Sequence, residues 1–265
     1  MLAIIVPTMV VGGAGLACAA ALAAAARVLA VKDDPRVGEV LDVLPGANCG
    51  GCGFAGCEGY ARAVVAGDAP ANLCAPGGEE TACAVAEILG VEAQRVERMV
   101  AIVLCNGGDT KSGRRFAYNG VADCRAADAV GGGDKKCRYG CLGYGSCAQV
   151  CPVGAIEITD ERLAVVHPDL CIGCGLCVDA CPRSIIKLVP ASRTVHVLCS
   201  SKDKGAVVKR ICTAGCIGCG LCAKLAGDGA IRIEGRLAVV DYSKALEADG
   251  IVEKCPSRCI VVRKS

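Results

Sequence analysis

The stretch CIGCGLCVDACP at residues 171–182 sets thiols at Cys171, Cys174, Cys177 and Cys181, and its first seven residues recur at 216–222 as Cys216, Cys219 and Cys222. Three cysteines at Cys-x2-Cys-x2-Cys followed by x3-Cys-Pro form a ligand run for cubane iron–sulfur clusters, in which the fourth cysteine serves the neighbouring cluster. A cubane needs thiolates converging from one tight loop. The intervening glycines let the backbone close round an inorganic core and aim amides at sulfur. Four soft sulfurs also suit zinc. The Cys-Pro ending and the doubled run favour iron and sulfide, because zinc sites pair two Cys-x2-Cys knuckles across a longer gap. The spacing predicts a chain that carries electrons.

Upstream, residues 137–152 hold a looser run, Cys137-x3-Cys141-x5-Cys147-x3-Cys151-Pro152, in which Gly140, Gly143 and Gly145 absorb the extra length. Strand-like AIEI (155–158) and LAVV (163–166) separate the two runs. The crossed rule of two-cluster bacterial ferredoxins assigns Cys137, Cys141, Cys147 and Cys181 to one cluster, and Cys151, Cys171, Cys174 and Cys177 to the other. Residues 131–190 are expected to form this ferredoxin domain.

Downstream, residues 222–260 align under 147–186: AIRI (230–233) matches AIEI, and LAVV (237–240) matches LAVV with one residue fewer in the turn. In this frame Cys171, Cys174 and Cys177 fall on Ala245, Ala248 and Ile251, and Cys151-Pro152 falls on Ala226-Gly227. The positions lost are the four ligands of one crossed cluster. The positions kept, Cys216, Cys219, Cys222 and Cys255, are the ligands of the other. Residues 205–265 therefore read as a degenerate module with one cluster and an apolar filling where the second would sit.

Composition bounds the remainder. The 265 residues include 23 Cys but only 2 His, 2 Phe, 5 Tyr and no Trp, so aromatic packing contributes little and metal sites are expected to hold much of the fold. Cysteines in metal-ligand runs, rather than scattered through a short chain, fit a reducing cytoplasm better than a secreted disulfide scaffold. A net charge of +2, with no basic run interleaved with aromatics, gives no reason to invoke nucleic acid. Residues 2–26 carry no charge and the apolar stretch resumes after Arg27 to Val31, long enough to cross a hydrocarbon layer of ~30 Å. Residues 1–31 are expected as a transmembrane anchor rather than a signal peptide, since no positive n-region opens the segment. Gly12, Gly13 and Gly15 allow close approach of a partner helix. Arg27, Lys32 and Arg36 place the bulk of the chain on the cytoplasmic side. Cys18 reads as a small apolar helix residue.

Beyond the anchor, LPGANCGGCGFAGC (44–57) gives Cys49-x2-Cys52-x4-Cys57, with Cys74 after a further x16. Three thiols in a Gly-rich loop, a helix and a distant fourth thiol can enclose one cubane, here within a small domain over 35–92. Apolar residues at 82, 85, 86 and 89 predict one helical face, with Cys83 read as core. Together with the apolar segment, Cys74-Ala-Pro-Gly-Gly and KCRYGCLGYGSCAQVCPVGAI (136–156), this box resembles the B subunit of the Rnf complex, the membrane-bound ion-translocating ferredoxin:NAD oxidoreductase, over nearly the whole chain. The resemblance implies a [4Fe-4S] cluster on Cys49, Cys52, Cys57 and Cys74, partner proteins with flavin and NAD sites, soluble ferredoxin as a partner, and membrane subunits that move Na+ or H+.

The other cysteines have plainer readings. Cys259 aligns with Ile185 and is expected in the core; Cys212, at x3 spacing before Cys216, competes with Cys255 as a fourth ligand. Cys105, Cys124 and Cys199 read as buried thiols, although Cys105 and Cys124 could add to a further site. His167 and His196 lack ligand spacing. No GxGxxG follows a strand, no Walker motif occurs, and Gly131-Gly132-Gly133, following the connecting segment 93–130, reads as a linker. The expectation is an α+β chain: one transmembrane helix, a small helical 4Fe-4S domain, then two ferredoxin-like modules, the second degenerate, holding three 4Fe-4S clusters and a fourth at Cys216. As a single-pass protein of the cell (inner) membrane, it would relay electrons from ferredoxin toward NAD-reducing partners, with no complete active site of its own. The alternative is a stand-alone tethered polyferredoxin serving another reductase without ion transport.

Overall fold

The computed structural model describes residues 2–28, 34–92, 97–246 and 250–263. Met1 and residues 29–31 of the expected anchor, Lys32, residues 93–96 of the connecting segment, Ala248 of the internal alignment and residues 264–265 lie outside them.

Helix α1, Leu2–Val28, has 27 residues and is about 40 Å long. Its apolar window Met9–Arg27 has a mean hydropathy of 2.0, and every side chain described in that window is exposed. A helix apolar on all faces with no protein against it fits a membrane anchor.

Asp34 caps α2 (Pro35–Val43) by accepting from the Arg36 amide, and Pro35 occupies the first turn, where an amide has no partner to lose. With α3 (Gly56–Ala66) and α4 (Gly78–Leu89), α2 buries Val37, Val40, Tyr60, Val64 and Val85 in one cluster. The α4 stripe at Ala82, Val85 and Ala86 is buried as its periodicity predicts. Cys83, read as core, is exposed instead: at about 100° per residue it sits one step round the helix from Ala82, off the packed face.

Strand β1 (Met99–Val103) pairs antiparallel with β4 (Ile186–Pro190), Val103 opposite Ile186. The segment expected as a connection thus contributes a buried strand to the unit that carries the Cys141 and Cys171 runs. Inside this outer pair lie the hairpin β2 (Ile156–Ile158) and β3 (Ala164–Val166), and the short helices α5 (Cys124–Ala129), α6 (Ser146–Gln149) and α7 (Leu176–Ala180) that present cysteines. The arrangement then repeats. An outer pair joins β5 (Val195–Val197) to β8 (Ile260–Val262), and a hairpin joins β6 (Ile231–Glu234) to β7 (Leu237–Val240), with α8 (Gly205–Ile211) and α9 (Leu221–Leu225) beside them. Ile156 faces Val166 in the first hairpin and Ile231 faces Val240 in the second, the frame of the internal alignment. The first strand of this unit, β5, lies upstream of residue 205, the expected start of the module. In place of Cys177 and Cys151 the second unit packs Ile251 and Ala226 into its core, with Leu246 and Val252 against them.

The glycine run 131–133 is not a loose linker. Arg115 donates to the Gly131 carbonyl (2.8 Å), Arg183 donates to that of Gly132 (2.5 Å), and the Asp134-Lys135 pair that follows is fully buried.

Candidate iron–sulfur centres

In the first box, Cys74 is buried and packs in one cluster with Cys52 and Cys57, with Cys49 near enough to raise its proton affinity after burial has done so. Two side chains set this loop. Asn48 Oδ1 accepts from the Cys57 amide (2.9 Å), while the buried Tyr60 hydroxyl donates to the Pro70 carbonyl (2.8 Å) and accepts from the Leu73 amide (3.3 Å) beside Cys74.

Cys151, Cys171, Cys174 and Cys177 also converge: burial pushes the Cys177 thiol up to about 12, with Cys171, Cys174 and Cys151 adding to it. The Cys171 and Cys151 sulfurs accept from the amides of Ala101 (3.4 Å) and Ala155 (3.3 Å). Gly51 of the first box lies on this loop so closely that a Cβ there would come within 2.5 Å of the Cys174 carbonyl oxygen. The first two thiol sets are therefore packed against each other.

The remaining set of the first unit differs from expectation. A cavity of about 340 Å³ is lined by Cys141, Cys147, Cys181 and Cys124, not by Cys137. The reason lies in the spacing of the looser run. Aligning Cys141 with Cys171 gives Cys141-x2-Tyr144-x2-Cys147-x3-Cys151-Pro152, the regular run with tyrosine in second place. Tyr144 turns away from the cavity and donates to the buried Asp134 (2.8 Å), with the Arg162 guanidinium 4.7 Å over its ring. Cys124, first residue of α5, supplies the fourth thiol in its stead. Its amide donates to Ser146 Oγ (2.7 Å), and that hydroxyl donates to the α5 cap Asp123 (2.7 Å), fixing Cys124 beside Cys147. Burial pushes the Cys141 thiol up to about 11 and that of Cys147 to about 12. Cys137 instead lines a separate cavity of about 380 Å³ with Cys105, Cys199 and Cys212.

In the second unit Cys216, Cys219, Cys222 and Cys255 surround a cavity of about 330 Å³, and Cys259 lines it as well. Cys259 is buried, as expected of the Ile185-equivalent position, and Ile185 likewise lines the Cys141 cavity. The Cys259 thiol stands 3.6 Å from the Cys255 sulfur. Hydrogen bonding to Cys259 holds Cys255 down to about 5 and lowers Cys216, whereas Cys259 is driven strongly upward. Cys216 and Cys255 are thus poised as thiolates, with Cys259 keeping its proton between them. Cys212 lines the Cys137 cavity and not the one at Cys255.

The donor sets fit iron–sulfur clusters: free thiols, all but Cys219 buried or half-buried, most of them receiving backbone amides. No histidine joins them. His196 is buried, held neutral at about 4 chiefly by burial, and lies 3.0 Å from the Tyr242 hydroxyl; His167 lies 3.2 Å from Glu157. Among the described residues no group of three or more His, Cys, Asp or Glu side chains would hold a single metal ion, so size and thiol lining characterise these cavities.

A family model described as a putative Fe-S cluster matches residues 44–76, and one described as a 4Fe-4S binding domain matches residues 164–187. The B subunit of the Na+-translocating ferredoxin:NAD+ oxidoreductase complex of Acetobacterium woodii is 46% identical over 258 residues, covering 97% of this chain and 78% of its own. The chain belongs to the family of Rnf complex B subunits. The B subunit of the ion-translocating oxidoreductase complex of Methanosarcina acetivorans is 41% identical, covering 96% of each chain. The B subunit of the proton-translocating ferredoxin:NAD+ oxidoreductase complex of Clostridium ljungdahlii is 44% identical, covering 93% of this chain and 88% of its own. In this Rnf protein the two matched stretches contain Cys49, Cys52, Cys57 and Cys74, and Cys171, Cys174, Cys177 and Cys181; the cavities at Cys105 and Cys216 lie outside both.

Proposed function

We propose that the chain is the membrane-anchored iron–sulfur electron-transfer subunit of an ion-translocating ferredoxin:NAD+ oxidoreductase, relaying electrons from reduced soluble ferredoxin toward NAD-reducing partners. The observation that carries this reading is the join at Gly51, which sets the thiol box that follows α1 in the sequence directly against the Cys174 loop of the ferredoxin unit. Bound [4Fe-4S] cubanes supply reversible one-electron storage. The residues that would hold them are Cys49/Cys52/Cys57/Cys74, Cys151/Cys171/Cys174/Cys177, Cys124/Cys141/Cys147/Cys181 and Cys216/Cys219/Cys222/Cys255. The second and third sets keep the crossed exchange of Cys151 and Cys181, and Cys124 replaces Cys137 in the third.

Around these thiols the chain excludes water with short buried strands and turns amides toward sulfur, which stabilises thiolate and tunes potential. Arg27, Lys32 and Arg36 would keep the cysteine-bearing bulk in the cytoplasm, where ferredoxin resides. The flavin and NAD sites, and the Na+ or H+ path, would belong to partner proteins of the complex. Both ions occur in the names of the relatives, Na+ in Acetobacterium woodii and the proton in Clostridium ljungdahlii.

Anaerobic purification from membranes tests this. The chain should copurify with membrane and flavin-bearing subunits as a brown complex rich in iron and sulfide. Recovery of a brown chain alone, with no membrane partners, would favour the tethered polyferredoxin instead.

A further inference from the structure

We propose that Cys105, Cys137, Cys199 and Cys212 hold an additional [4Fe-4S] cluster that bridges the two ferredoxin-like units. The proposal rests on the reading that the neighbouring thiol sets hold cubanes. Its cavity, about 380 Å³, matches those at Cys141 and Cys216, about 340 and 330 Å³. Like the Cys141 cavity it is lined by four thiols, the ligand number of a cubane. All four cysteines are free and none is exposed.

The backbone treats these sulfurs as it treats the others. Cys105 Sγ accepts from the amides of Gly107 and Cys141, each at 3.4 Å, and Cys199 Sγ from that of Ser201 at 3.4 Å. The amides of Tyr139 and Ala214 serve Cys137 and Cys212. In each case the residue two positions on supplies an amide, as Leu176 does for Cys174 and Gly218 for Cys216. Gly107 lets the chain pass close to these sulfurs, since a Cβ there would press on Cys212 Sγ at 3.1 Å and touch Cys105 Sγ at 3.7 Å.

The cavity also holds a charge that asks for an anion. Lys135 lines it and is fully buried, and its Nζ donates to the Cys141 carbonyl at 2.9 Å. Among the described residues no carboxylate forms an ion pair with it. A buried ammonium is costly unless an opposite charge compensates it. Four thiolates around an iron–sulfur core carry net negative charge and supply that compensation.

Position gives the site its role. Cys105 and Cys137 come from the first unit, Cys199 and Cys212 from the second. Cys105 touches the Cys141 backbone on one side, and Cys199 lies against the Cys216 backbone on the other. The site therefore fills the gap between the Cys141 and Cys216 cavities and makes the thiol sets one continuous row from the Cys49 box to the last module.

The test is an iron, sulfide and zinc count on the full chain, purified anaerobically in detergent, with low-temperature EPR of the reduced protein. The unsubstituted chain should hold about twenty iron atoms and as many sulfides, five cubanes' worth. Cys212→Ala and Cys199→Ala should each lose about four irons and the same EPR component, Cys124→Ala a different component, and Cys83→Ala none. A count near sixteen that Cys212→Ala leaves unchanged, or zinc bound through Cys212, would overturn the bridging cluster while leaving the other sites standing. A chain without iron at any site would overturn the wider reading as well.

Discussion

Cys255 and Cys259 are four residues apart on one turn and face one cavity, yet they have different tasks. Cys255 is held as a thiolate at about 5, and Cys259 keeps its proton by donating to its neighbours. Cys255→Ala should remove about four irons. Cys259→Ala should leave the count unchanged and lower stability by ~1 kcal/mol, the scale of a small core truncation; iron analysis and denaturant unfolding read the two effects. The same protonation contrast sets a pH order for cluster loading. Ligation needs thiolates, so a thiol raised to about 12, such as Cys147 or Cys177, must release a proton and binds roughly tenfold less tightly per pH unit lost below that value. Cys255, lowered to about 5, has already lost its proton until the pH falls toward 5. Burial raises Cys222 of the Cys216 site as well, but the thiols pushed up to about 12 lie in the Cys141 and Cys171 sites, so anaerobic reconstitution at pH 6 should load the Cys216 site ahead of those two, resolved by EPR. Equal loading of all sites at that pH would contradict the assignment. At this scale the regular ligand runs are readable because their spacing is local. The exchange of Cys137 for Cys124 is also present in the sequence, as Tyr144 in the second place of an otherwise regular run.

At the scale of elements, repetition decides what can be read. AIEI with AIRI, and LAVV with LAVV, reveal both hairpins because each copy checks the other, and the charge-free run reveals α1. Strand β1 has no such echo, and its partner β4 lies more than eighty residues away, so a pairing that depends on tertiary packing leaves only a short apolar run to see. The strand has a measurable role. A fragment of residues 97–190 should take up about eight irons, whereas residues 131–190, lacking both β1 and Cys124, should hold no more than about four and unfold more readily. Removing residues 1–33 should give a soluble chain with its full complement of iron, since every cysteine site lies beyond α1; loss of most iron would show that the anchor supports the fold.

For the molecule as a whole, the degenerate module is legible because its losses sort by cluster: Ile251 and its apolar neighbours now occupy what Cys177 and its partners occupy in the first unit. The Cys105 cavity is not legible. Its four thiols come from four separate segments, and only the packing of one unit on the other brings them together. As an electron relay, the chain should accept electrons from ferredoxin without itself reducing nicotinamide. The most direct test is to mix the purified chain anaerobically with reduced low-potential ferredoxin and NAD+, and to follow both the thiolate-to-iron absorption and NADH. The iron–sulfur absorption should bleach rapidly, with no NADH until flavin-bearing partner proteins are added. NADH formation by the chain alone, or no bleaching by ferredoxin, would contradict the relay.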